Sequence, residues 1–279
     1  MTTLNSYATL AEFKNYWKSR GSSNSTDAED DAVIESLLRS ASSLLDSKTG
    51  RRFAPYIETR YFDVPSGQVD NRILKTPDLL EVISVVNGSG VTIPSTEYTL
   101  RPRNITPHLG IRLKDASTYY WAGDGAGDEH DVIAVTAVWG CHNKYSQAWT
   151  LGSTAAEAMD ASETGYDVTS GTLFAVGDLI RFDDELGYVS NVSTNTLTIT
   201  RGENNSTATT HLTSINVYIW QPMEEAHNAV CEIANTAYRR RFGQSTSSTE
   251  TVTAAGVVLS PRDIPAMAQE FISTCKAYL

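Results

Sequence analysis

Positive charge is scarce in this chain. Against 33 Asp and Glu stand 22 Lys and Arg, a formal net charge of −11. Holding nucleic acid by bulk charge needs a basic stripe or face, and none is visible, although this balance does not exclude proximity to DNA. Cysteine is nearly absent. Cys141, Cys231 and Cys275 are widely spaced, odd in number and form no Cys-x-x-Cys pair, which argues against a disulfide framework or a zinc site. No apolar run approaches the roughly 18 residues of a membrane span. Met1 to Tyr7 has neither the basic nor the apolar region of a signal peptide. A soluble protein made in a reducing cytosol, with no membrane partner, is therefore expected. The Asn-x-Ser/Thr triplets at Asn24, Asn87, Asn104, Asn191, Asn204 and Asn205 then reflect a Ser/Thr/Asn-rich composition rather than glycosylation.

What is present is the material of a folded core. Of 279 residues, 41% are hydrophobic and 9% aromatic, which excludes a disordered chain. The length suits one large domain or two small ones.

Helical patterns lie at both ends. Thr9 and Glu12 fit a capping box, followed by Leu10, Phe13 and Trp17 at helical spacing, with Gly21 as a stop. Thr26 and Glu29 fit a second box. Ile34, Leu38, Ala41 and Leu45 then form one stripe flanked by Val33, Leu37 and Leu44, and the helix should end near Thr49-Gly50. Near the other end, Pro222 suits a first helical position, and Glu224 and Glu225 complement the positive helix start. Ala226, Val230, Ile233 and Ala237 form its stripe, and Arg239-Arg240-Arg241 closes it. Gln244 to Thr253 reads as a flexible arm. Asp263 and Pro265 open a last helix carrying Met267, Phe271, Ile272 and Cys275.

Between the helices the texture is β. Runs at 59–64, 80–86, 91–93, 98–100, 111–113 and 132–139, separated by Gly, Pro and Asn turns, predict a compact antiparallel unit. Residues 145–164 are poorly patterned and read as a connection. Runs at 173–174, 178–182, 187–192, 196–200 and 214–220 predict a second unit of five short strands, a small sandwich or barrel. An amphipathic helix must bury its stripe, so the two ends are expected to pack together. The expected fold is α+β: a helical core of 1–55 plus 222–279, an antiparallel β unit over 56–145, and an inserted β-barrel or sandwich module over 146–221.

Few residues suggest chemistry. Asp183-Asp184-Glu185 could ligate a divalent cation through oxygen, but consecutive strand residues face opposite ways, so a solvated turn is the better reading. Gly123 to Asp131 is glycine-rich, yet no helix pattern follows to bind a phosphate, and a flexible acidic hairpin loop is expected. His108, His130, His142, His211 and His227 are scattered, and no Gly-x-Ser-x-Gly elbow is present. No catalytic, cofactor or metal site is expected, and an enzyme is not the favoured class. Arg51-Arg52 and Arg239–Arg241 sit at expected helix C-termini, where they compensate the dipole or form a salt-bridged seam to an acidic neighbour.

The order of these elements carries a resemblance. Asp30-Asp31-Ala32-Val33-Ile34-Glu35-Ser36-Leu37-Leu38, running through Ala41 and Leu45-Asp46 to Thr49-Gly50-Arg51-Arg52-Phe53, resembles the opening helix of head–tail connector (adaptor) proteins of tailed bacteriophages. Leu79 to Gly88, Ser95 to Leu100 and Val132 to Trp139 look like that family's strands. Val258 to Pro265 is similar to the start of its C-terminal helix. The stretches Gly171 to Asp178, Asp184-Glu185 and Thr196 to Gly202 are similar to a small β module of phage virion proteins. The insertion of that module departs from the smallest members.

The resemblance implies a virion protein at the head–tail junction, made in the host cytoplasm. Its partners would be itself, in a ring of about 12 subunits, the portal protein, and a tail or nozzle protein. Double-stranded DNA would pass through the ring without specific binding. Portal docking would fall to Ser260, Pro261, Arg262, Asp263, Ile264, Phe271 and Tyr278. A ring needs two different complementary faces per subunit; Arg239, Arg240 and Arg241 on one side and Asp124, Asp128, Glu129 and Asp131 on the other are candidates. The alternative is a virion decoration or tail-tip protein whose second β unit recognises a host glycan or protein, with Tyr166, Tyr188, Tyr218 and Trp220 available to stack on a sugar. As core residues of a small β unit these rings have a simpler explanation.

Overall fold

The computed structural model describes residues 6–19, 30–66, 70–241, 251–252, 258–259 and 264–276. The Thr26–Glu29 capping box, the Gly21 stop and most of the Gln244–Thr253 tract lie outside them. The chain is mixed α+β and divides into two compact units, 1–53 with 222–279, and 54–221.

The first unit is helical: α1 (Leu10–Ser19), α2 (Asp31–Thr49), α3 (Glu224–Arg241) and α4 (Ala266–Cys275). The expected capping box starts α1. The Thr9 N–H donates to Glu12 Oε2 at 2.7 Å, and the Glu12 N–H donates back to Thr9 Oγ1 at 3.2 Å, so two otherwise orphaned donors are satisfied. On α2 the stripe Ile34, Leu38, Ala41 and Leu45 is buried as the spacing predicts. Gly50 ends the helix in the left-handed conformation (φ 68°), its N–H reaching the Asp46 carbonyl at 2.8 Å, a position glycine takes without a Cβ clash. Helices α2, α3 and α4 contact one another, and α1 lies on α2 and α3. Trp17 meets Tyr238 edge-to-face at 5.1 Å, and Phe53 meets Phe271 at 5.4 Å. A two-stranded pair, β12 (Thr251–Val252) and β13 (Val258–Leu259), also belongs to this unit.

Two details differ from expectation. Helix α3 begins at Glu224, so Pro222 precedes the helix instead of occupying its first turn, and Ala237 is only half-buried. On α4, Pro265 is the N-cap and Ala268 is the buried residue, whereas Met267 is half exposed.

The second unit holds two antiparallel sheets. The first comprises β1 (Tyr56–Phe62), β2 (Ile73–Val86), β3 (Tyr98–Arg101), β4 (His108–Leu113) and β5 (Ile133–Trp139), in the order β1-β5-β2-β4-β3. Alternating Ile133, Val135, Ala137 and Trp139 on β5 are fully buried, the pattern of branched and aromatic residues on a pleated face. Strand β2 is twice the expected length. Its first half pairs with β4 and its second with β5, with the register broken between Lys75 and Leu79. Pro77 falls in that break, where a missing N–H costs no ladder bond. The run 91–93 forms only one isolated bridge, Val86 to Thr92. In the turn after β2, Asn87 is buried and its amide donates to the Tyr120 carbonyl (2.7 Å) while its oxygen accepts from the Ala122 N–H (3.0 Å). A Cβ on Gly88 would stand 2.4 Å from the Ala122 carbonyl oxygen, so this close approach requires glycine.

The second sheet comprises β6 (Trp149–Thr154), β7 (Gly165–Asp167), β8 (Leu179–Phe182), β9 (Glu185–Ser193), β10 (Thr196–Thr200) and β11 (Asn216–Trp220), in the order β6-β11-β8-β9-β10-β7. It is a single sheet of six strands, not five. The segment read as a connection supplies edge strand β6, whose Ser, Thr and Gly content hides the alternation. Residues 173–174 form a turn instead of a strand. An isolated bridge between Ala155 and Val168 joins the continuations of edge strands β6 and β7, so the sheet curls around a core that includes Tyr166, Ile180, Phe182, Leu197 and Val217. The two sheets share a further core in which Ile57, Leu80 and Val138 of the first meet Leu179, Leu186 and Trp220 of the second.

Candidate functional site

The second sheet contains a buried charge cluster that sequence reasoning did not find. Glu185 opens β9 and is 1% exposed. Arg201, just after β10, clamps it in a fork: Nε to Oε1 at 2.8 Å and Nη2 to Oε2 at 2.7 Å. The N–H groups of Gly202 (3.2 Å) and Thr209 (2.9 Å) also donate to the carboxylate. His211 Nε2 lies 2.9 Å from Oε2, and its Nδ1 lies 2.9 Å from Asp183 Oδ2. Burial alone would raise the Glu185 pKa, but the bonds from Arg201, His211 and Thr209 outweigh it and hold the carboxyl below the usual range. Arg201 further donates to the carbonyls of Asp160, Glu163 and Thr209. The cluster therefore pins the loop between β10 and β11 onto the sheet, and its charges are spent internally. The Asp183–Glu185 run is thus only partly a solvated turn: Asp183 (φ 53°) and Asp184 are exposed, whereas Glu185 is not. Among the described residues no three His, Cys, Asp or Glu side chains are placed to hold a metal ion.

Beside this cluster lies a groove of about 570 Å³. Its walls come from β2 of the first sheet (Glu81) and from the second sheet (Trp149, Arg181, Asp183, Asn216 and Tyr218). Pairing places them together: Tyr218 on β11 stands opposite Arg181 on β8, and Trp149 stands opposite Trp220. Arg181 spans the two sheets. Its Nη1 donates to Glu81 Oε2 (2.7 Å) and Tyr145 Oη (3.4 Å), its Nη2 to Glu81 Oε1 (3.3 Å) and Asp184 Oδ1 (3.1 Å), and its Nε to the Asp183 carbonyl (2.8 Å). Its guanidinium carbon sits 5.9 Å from the Trp149 ring centroid. Tyr145 also donates to Glu81 at 2.7 Å. Burial pulls the Glu81 pKa upward, but Arg181 and Tyr145 overcome it and lower it. The Tyr145 hydroxyl is pushed well up by burial and by the Glu81 charge.

The residues expected to stack on a glycan separate into two kinds. Tyr166 and Trp220 are core side chains, and Tyr188 packs half-buried against the core shared by the sheets. Only Tyr218 lines the groove, where it is joined by Trp149, which was hidden because β6 was read as a connection.

The expected docking and interface residues are scattered. Ser260, Pro261, Arg262, Asp263 and Tyr278 lie outside the described residues. The Ile264 carbonyl accepts a bond from Gln269 Nε2 at 2.9 Å, and Phe271 is half-buried against Phe53. Arg239, Arg240 and Arg241 do occupy the last turn of α3. Arg239 is engaged within its unit, donating to Asn235 Oδ1 (3.1 Å) with its guanidinium 5.0 Å from the Trp17 ring. Arg240 and Arg241 are exposed. The acidic segment is not a hairpin. It connects β4 to β5, which are separated in the sheet by β2. It is internally bonded: Asp124 Oδ1 accepts from the N–H groups of Ala126 and Asp128, both at 2.8 Å, and the Asp131 N–H donates to Asp63 at 2.9 Å. Asp128, Glu129 and Asp131 are exposed and Asp124 is half-buried.

Compared with known proteins, the chain matches no protein-family model, no curated protein and no solved structure. Among the described residues no helix is long and apolar enough to cross a membrane.

Proposed function

We propose that this protein is a structural component of a tailed-phage virion, a head–tail adaptor that forms a ring below the portal. There it extends the DNA channel, helps retain packaged DNA and offers the attachment platform for the tail. One observation carries the reading. The helical unit is assembled from residues on both sides of the sheets, in the helix–strands–helix order on which the adaptor resemblance rests. Segment 30–53, which carries part of that resemblance, contains the α2 helix and its Gly50 stop. The net charge of −11 suits a conduit, since gripping DNA requires cationic side chains that release its counterions.

The test is assembly. Purified protein is run on size exclusion with light scattering, alone and with purified portal, and the complex is imaged by electron microscopy. A ring of about 12 subunits, free or formed on the portal, is the expected result. A stable monomer indifferent to portal overturns the reading. A channel wall dominated by Lys and Arg overturns the conduit argument specifically.

A further inference from the structure

We infer that the groove between β2 and the outer face of the second sheet takes a cationic side chain, arginine above all, presented by a basic peptide segment of a protein partner. Its volume of about 570 Å³ falls in the range that holds a side chain and its flanking backbone. The walls supply both things a guanidinium seeks. Trp149 and Tyr218 bring aromatic rings, which attract cations through their negative faces. Glu81 and Asp183 bring carboxylates on side chains that are 41% and 56% exposed.

The charge balance decides the sign of the ligand. Glu81 and Asp184 pair with Arg181, and Asp183, which lines the groove, pairs with the His211 imidazole, so three acids surround one guanidinium and one imidazole. Arg181 has five N–H donors, and each has an acceptor already: Glu81 twice, Tyr145, Asp184 and the Asp183 carbonyl. No donor of Arg181 is left to grip an anion. Asp183 gives Oδ2 to His211 and keeps Oδ1 for a ligand. The excess is negative and accessible, and the aromatic rings lie beside it. Arg181 itself illustrates the match, because a guanidinium already rests between Trp149 and two carboxylates. A planar guanidinium can stack on a ring and fork onto a carboxylate at once, which an ammonium does less well. A neutral sugar could use the rings but would leave the excess charge unanswered. The inference does not rest on the adaptor reading, since it concerns the chemistry of the partner and not its place in a virion.

The experiment titrates the intact protein with three probes: an acetylated, amidated Gly-Arg-Gly-Arg-Gly peptide, the same peptide with citrulline for arginine, and chitotetraose as a neutral saccharide. Binding is read from the Trp149 indole N–H resonance. The arginine peptide should shift that resonance saturably and bind about tenfold or more tightly than the citrulline peptide. Asp183→Asn and Tyr218→Ala should each weaken binding several-fold with the thermal midpoint and circular dichroism of the second sheet retained, while Asp115→Asn, at an exposed position just after β4, should leave it unchanged. Should Asp183→Asn disturb the fold through His211, Tyr218→Ala alone carries the test. Equal binding of the citrulline peptide, saturable binding by the saccharide alone, indifference to Tyr218→Ala, or no binding by any probe overturns the proposal. Because ring assembly is a separate measurement, failure here and failure of the adaptor reading are distinguishable.

Discussion

In the helical unit, the half-buried carboxyl of Asp46 accepts a hydrogen bond from the Tyr7 hydroxyl at 2.6 Å. In the sheet unit, the buried carboxyl of Glu185 is forked by the Arg201 guanidinium. Both groups are desolvated, yet they shift in opposite directions. Burial pushes the Asp46 pKa up to about 6, because the Tyr7 hydroxyl, the Arg52 charge and the Phe53 backbone together do not offset it. Glu185 is held below its usual range, because a full positive charge and several N–H donors do. Desolvation penalises a charge wherever it is buried; opposite charge and hydrogen-bond donors at bonding distance, when together they outweigh it, reverse the sign.

That contrast can be broken most forcefully at Glu185. Glu185→Ala strands Arg201 and His211, whose side chains are 5% and 2% exposed, and breaking a buried pair by removing one partner costs about 3–5 kcal/mol. Urea unfolding should show this loss. A cost smaller than that of Asp46→Ala would refute the distinction.

The pH dependence sharpens it. Asp46 binds its proton near pH 6 in the folded chain and near 3.9 when unfolded. Its folded form therefore gains stability as pH falls from about 6 to about 4, by about 3 kcal/mol at most. Glu185 behaves oppositely: its contribution is complete above the unfolded value of about 4.3 and is lost as pH falls through its lower folded value. The thermal midpoint should accordingly rise on mild acidification and fall below about pH 4. Asp46→Asn should remove the rise and leave the fall. A profile with the rise intact in that variant would place the titration elsewhere.

Smaller effects test each unit alone. Thr9→Ala removes the α1 cap and should cost about 1 kcal/mol, read by hydrogen exchange confined to the helical unit. Ile111→Val, in the uncharged core of the first sheet, should cost about 0.5–1.5 kcal/mol and leave the pH profile of stability unchanged. A pH-dependent cost there would show that the two sheets do not differ in how they carry charge.

Features written in short stretches of sequence were legible in advance. The α2 stripe, the Thr9–Glu12 cap, the Gly50 stop and the alternation of β5 each depend on residues within a few positions of one another. Strand β6 was not legible, because an edge strand with one solvated side tolerates Ser, Thr and Gly and so loses its period. The first half of β2 was masked by Lys75, Pro77 and Asp78, which interrupt the apolar alternation where the register breaks. At the Asp183–Glu185 run, the two exposed acids were read correctly and the buried one was not. Glu185 is buried because Arg201 and His211, 16 and 26 residues later, return to it.

Local spacing by itself determined which segments became helices and which became the stronger strands, since backbone propensity, caps and periodicity act over one or two turns of chain. Only the tertiary structure decided where charge is buried and where it is left open. The Glu185 cluster exists because strand pairing and the chain after β10 bring opposite charges to bonding distance in a place water has left, and the Glu81–Arg181 bridge, whose partners stand 100 residues apart, because the two sheets pack together. No periodicity in the chain records either contact, because each arises only when distant segments are brought together.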